Sequence, residues 1–65
     1  MNWYKVTNKS RWGGKSIYAV FAETPEKALK RWASFCGYLE VPSTARVHST
    51  PLNESEVETI YNRMR

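Results

Sequence analysis

The chain has 65 residues, 42% of them hydrophobic and 14% aromatic, and ten Lys and Arg against six acidic residues leave a net charge of +4. That length supports one small core and excludes a nucleotide-hydrolysing α/β domain; a single cysteine, Cys36, and a single histidine, His48, exclude an internal disulfide and a Cys/His zinc cluster. No apolar run approaches the roughly 18 residues of a membrane span, and no signal-like apolar stretch surrounds Trp3, Tyr4 and Lys5, so a soluble, unprocessed, cytoplasmic chain is expected.

The first elements form a hairpin. "WYKVT" (3–7) and "SIYAVFA" (16–22) are rich in β-branched and aromatic residues, and Asn8, Ser10, Gly13 and Gly14 lie between them. The intervening "RWGGKS" ends like a Walker loop, G-x-x-x-x-G-K-[ST], but Lys9 stands where the first glycine belongs. Gly13 and Gly14 are therefore read as turn residues that take positive φ, not as a phosphate cradle.

"TPEKALKRWASFCG" predicts a helix: Thr24 as N-cap, Pro25 at the first helical position, Glu26 in the first turn and Gly37 just past the end. Ala28, Leu29, Trp32, Ala33 and Cys36 make its apolar stripe, and Lys27, Lys30, Arg31 and Ser34 its polar side. After a connection broken by Pro42, "TARVHS" (44–49) alternates as a third strand. Beyond Pro51, "LNESEV" supplies Asn53 as N-cap, Glu56 at the capping-box position and a Leu52 to Val57 staple. Val57, Ile60, Tyr61 and Met64 then recur at helical spacing, predicting a final helix of about 11 residues, too short to stand alone.

The order β-β-α-β-α predicts a single α+β domain. A right-handed crossover places the third strand beside the first, in a three-stranded antiparallel sheet with the first helix on one face and a short C-terminal helix. Alternation predicts Tyr4, Val6, Ile17, Ala19, Phe21, Ala45 and Val47 against Leu29 and Trp32, and Trp3, Lys5, Tyr18, Val20, Arg46 and His48 on the other face. That second face is open to two readings. Aromatic and cationic side chains interleaved on a sheet suit a single-stranded nucleic acid; alternatively the second helix lies across it and buries Tyr18 and Val20.

Catalysis finds no support in the residues. Cys36 falls on the expected core stripe, where a thiol behaves as a small hydrophobe, and Glu54, Glu56 and Glu58 read as charges at a helix start. The chain is expected to be neither an enzyme nor a cofactor protein. The bases concentrate in residues 1–46, where eight stand against three acids. Lys9, Arg11, Lys15, Lys27, Lys30 and Arg31 are candidate contacts to phosphate or to an acidic surface.

"NWYKV", "YAVFAETPEKAL" and "ARVHS", spread over about residues 2–50, together resemble the small podovirus-encoded inhibitor of bacterial RNA polymerase. The resemblance implies a non-catalytic protein that occupies a polymerase surface and blocks productive promoter opening in the bacterial cytoplasm. In that family two basic side chains alternating on the third strand engage the polymerase, and the matching positions are Arg46 and His48, a histidine here in place of arginine. Arg46 is thus the expected anchor and Trp3, Lys5 and His48 its neighbours, in a monomer or weak dimer. Direct non-specific DNA or RNA binding, or inhibition of a nuclease-based host defence system, are the alternatives that charge and size leave standing.

Overall fold

The computed structural model describes residues 1–9 and 13–63. Its elements are β1 (Asn2–Lys9), β2 (Lys15–Ala22), α1 (Pro25–Phe35), β3 (Ala45–Val47) and α2 (Glu54–Arg63). The strands form one antiparallel sheet in the order β2-β1-β3, an α+β architecture with β1 at its centre.

Local chemistry sets both ends of α1. Thr24 is extended, and its hydroxyl accepts from the Lys27 N–H at 3.1 Å, with Pro25 beginning the helix. At the far end Gly37 takes φ +86°. The Gly37 N–H then donates to the Ser34 carbonyl at 3.1 Å and the Tyr38 N–H to the Ala33 carbonyl at 2.9 Å, the two bonds of a Schellman motif. The apolar contact that accompanies this motif is present as well: the Tyr38 and Trp32 rings lie 5.5 Å apart.

α1 covers the face of the sheet that carries Tyr4 and Val6. One buried cluster joins Val6, Trp32, Ala33 and Ala45; the other joins Tyr4, Ala22 and Ala28. Alanines on both helix and sheet let the backbones approach closely, and Trp32, 2% exposed, fills the remaining space. Its indole Nε1 is buried and has no hydrogen-bond partner among the described residues.

β1 and β3 point their side chains as expected, but β2 has the opposite phase. Residues directly opposite one another in a ladder share a face, and Tyr4 pairs with Val20 and Val6 with Tyr18. Tyr18 and Val20 therefore pack toward α1, while Ile17, Ala19 and Phe21 join Trp3, Lys5 and Arg46 on the outer face. Both phases of "SIYAVFA" are apolar, so alternation does not distinguish them; register across the hairpin does.

Three further expectations change. Gly13 has φ +89°, and Gly14 is not among the positive-φ residues. Cys36 is the C-cap of α1 and is exposed, not part of the core stripe. β3 is shorter than residues 44–49: the His48 N–H still donates to the Lys5 carbonyl at 2.9 Å, but the next ladder contact, to the Trp3 carbonyl at 2.8 Å, comes from Leu52. A regular ladder would bring residue 50 there, so residues 49–51 arch out, with Pro51 among them.

Past this arch Asn53 caps α2 as expected. Its side-chain oxygen accepts from the Glu56 N–H at 2.9 Å, and the Glu56 carboxylate accepts from the Asn53 N–H at 3.3 Å. With α1 occupying one face, α2 lays Val57 and Ile60, both buried, toward the other. Tyr61 meets Trp3 edge to face at 5.8 Å. The second helix does cover part of the outer face, though above Trp3, Ile17 and Phe21 and not above Tyr18 and Val20. Met64, the last residue of the expected stripe, lies outside the described residues.

Candidate functional site

Cross-strand register arranges the outer face in rows. Phe21 stands beside Trp3, Ala19 beside Lys5, Ile17 beside Thr7 and Lys15 beside Lys9; on the other side of β1, Arg46 stands opposite Thr7. One end of the face is therefore apolar and the other cationic. α2 follows that division: Leu52, Ser55, Thr59 and Ile60 border a hollow of about 290 Å³ with Lys5 and Ile17. The Lys15–Lys9 row is not among its contacts.

At the uncovered end Thr7, Lys9, Gly13, Lys15, Ser43, Thr44 and Arg46 surround an open cleft of about 580 Å³. Among the described residues, three cationic and three hydroxyl-bearing residues line it and none of the lining residues is acidic. Thr7 forms the floor at 7% exposure, while Lys9, Lys15 and Arg46 are exposed. The Thr44 hydroxyl holds the rim to β1 through a 2.6 Å hydrogen bond to the Asn8 side-chain oxygen. Like charges directly opposite on a sheet repel, so the Lys9–Lys15 pair costs stability that a bound anion would return. Among the described residues one ion pair is formed, between Lys27 and Glu23 at 2.8 Å, and Arg46, Lys9 and Lys15 take no part in it.

The predicted site residues fall into separate groups. Arg46 and His48 are exposed on or next to β3. Lys5 is half-buried beside α2, where Glu56 lines the same hollow. Trp3 is half-buried between Phe21, at 5.2 Å, and Tyr61, so it offers no open platform for stacking bases. Lys27, Lys30 and Arg31 belong to α1 on the opposite side of the sheet; Lys27 is paired with Glu23, and Arg31 donates to the Phe21 carbonyl at 2.9 Å. Arg11 lies outside the described residues. Sequence reasoning missed Thr7, Ser43 and Thr44. Thr7 alternates with Lys5 and Lys9 on β1 and could have been found, whereas Ser43 and Thr44 belong to a turn, formed where the Ala45 N–H donates to the Pro42 carbonyl at 3.0 Å.

Among the described residues no group of three His, Cys, Asp or Glu is placed to hold a metal ion, and no helix is long and apolar enough to cross a membrane. What the cleft offers chemically is a group of donors for anionic oxygen: one planar guanidinium, two ammonium groups and the Thr7 and Ser43 hydroxyls, the Thr44 hydroxyl being already donated to Asn8. Compared with family models, curated proteins and solved structures, the chain matches none.

Proposed function

We propose that the chain is a non-enzymatic binding protein of phage type that inhibits a bacterial nucleic-acid enzyme, with RNA polymerase as the first candidate, by seating the Arg46 cleft on an acidic surface of that enzyme. The observation that carries this reading is the grouping of Arg46, Lys9 and Lys15, exposed, facing one cleft and outside any ion pair among the described residues. The resemblance over residues 2–50 supplies the target. Arg46 is the anchor because its fork meets a carboxylate with two parallel hydrogen bonds. Lys9 and Lys15 speed encounter through their field, and His48 extends the contact along the chain. Such a protein acts in the bacterial cytoplasm and needs no cofactor.

The test is promoter-dependent transcription by purified bacterial RNA polymerase holoenzyme with increasing amounts of the protein. Inhibition is expected from the wild type and not from Arg46→Glu. Full transcription at saturating wild-type protein rejects the polymerase as target.

A second reading has its own support, since hydroxyls and cations around one cleft also suit phosphate. Direct DNA or RNA binding through Lys9, Lys15 and Arg46 would weaken with salt with a log–log slope of roughly −2 to −3. Absence of oligonucleotide binding at low ionic strength rejects it.

A further inference from the structure

β2 is an edge strand, and the orientation of its backbone can be read from its neighbour. The Trp3 and Lys5 carbonyls accept hydrogen bonds from Leu52 and His48 on the β3 side. In an antiparallel ladder the N–H and C=O of one residue point the same way, so Trp3 and Lys5 turn both groups away from β2. Their partners Phe21 and Ala19, and Ile17 by the same alternation, turn theirs away from β1, to the open side. The Arg31 guanidinium confirms this direction by donating to the Phe21 carbonyl.

This edge is the floor of an apolar groove of about 280 Å³. Trp32 and Phe35 of α1 stand on one side, and Phe21 and Tyr61 on the other. Phe35 is 86% exposed, which is unusual for a phenylalanine bordering a groove. Two cations flank the open stretch: Lys15 at the start of the strand and Arg31 at the Phe21 end. Among the described residues Arg31 is the one charged residue lining the groove, and Glu23, just past the strand, is already paired with Lys27.

We propose that the β2 edge is a second docking site, which takes an extended, acidic and apolar segment of a partner protein as a fourth strand. Such a segment pairs its backbone with Ile17, Ala19 and Phe21, places alternate apolar side chains against Trp32 and Phe35 on one side and Tyr61 on the other, and draws Arg31 from the Phe21 carbonyl onto a carboxylate. Charge complementarity selects this occupant over a second copy of the chain, which would bring its own Arg31 and a further net +4 to the edge; cations on an edge strand oppose self-pairing. The site is independent of Arg46, which lies across the sheet on β3.

A short synthetic valine peptide with two adjacent glutamates near one end, blocked at both termini, tests this against its counterpart with lysine in place of glutamate, with the amide resonances of Ala19 and Phe21 as the readout. The acidic peptide is expected to bind roughly tenfold more tightly, to protect both amides from exchange, and to bind Arg46→Glu as well as wild type. Ala19→Pro removes an N–H that faces away from β1, a substitution an edge strand tolerates, and is expected to abolish binding. Should that variant fail to fold, N-methylation of the peptide's strand-facing amides gives the same loss. No binding at millimolar peptide, equal affinity for both peptides, or binding that survives Ala19→Pro or N-methylation overturns the proposal. So does concentration-dependent self-association that protects Ala19 and Phe21 without any peptide.

Discussion

Arg46 stands opposite Thr7 in the sheet, one exposed and the other almost fully buried. The threonine floors the cleft and the arginine, with Lys9 and Lys15, rims it. This places the strongest bidentate donor on a ladder and not on a mobile loop, which keeps its position defined before any partner arrives.

Arg46→Glu is expected to abolish inhibition of transcription while changing stability by no more than about 1 kcal/mol, in the stabilising direction if at all, because the substitution places an acid beside Lys9 and Lys15. Urea unfolding of both proteins alongside the transcription assay separates the two effects. A variant that loses activity because it unfolds would count against a binding role.

Charge reversal at Lys9 or Lys15 follows the same logic with a smaller effect. Each removes the repulsion between directly opposite lysines and is expected to stabilise the hairpin by about 0.2–1 kcal/mol, while slowing association with an acidic partner. Stopped-flow association rates at two ionic strengths check this: the rate of the wild type should fall with salt, and that of Lys9→Glu should fall less.

Trp32→Ala is expected to cost about 3–5 kcal/mol, since Trp32 joins Val6, Ala33 and Ala45 and touches Tyr18 and Tyr38. For a domain of this size that is most of the stability available. An unchanged urea midpoint would contradict the packing. Trp32→Phe removes the buried, unpartnered Nε1 with part of the ring, and is expected to cost less than the alanine variant.

Gly37→Ala forces a Cβ into the left-handed region at φ +86°, although nothing within 4 Å would obstruct it. The cost is therefore one of backbone conformation alone, about 1–2 kcal/mol. Gly37→Asn should cost less, because asparagine tolerates this conformation better, and thermal unfolding of the pair tests the distinction.

Asn53→Ala removes the side-chain half of the α2 capping box, leaving the residue-53 backbone N–H to the Glu56 carboxylate, and is expected to cost about 1 kcal/mol. Amide exchange in the first turn of α2 should accelerate, and so should exchange around Trp3, which α2 covers through Tyr61. Acceleration in α2 without any change at Trp3 would argue against that packing.

Punctuation was legible in the sequence because caps act within a few residues: Thr24, Pro25 and Gly37 bound α1, and Asn53 with Glu56 starts α2, as the spacing alone required. Element order and handedness then implied the β2-β1-β3 sheet, and alternation on β3 put Arg46 outward with Val47 inward, since only one phase of that strand is apolar. Tertiary structure decided what such local signals leave degenerate. Both phases of β2 are apolar, so pairing with β1 chose Tyr18 and Val20 for the core; α1 occupied one face, which left the other to α2. Those two outcomes separated Trp3 and Lys5 from Arg46 and brought Lys9 and Lys15 to it instead, because contacts between residues far apart in the chain depend on register and on which surface remains to be buried.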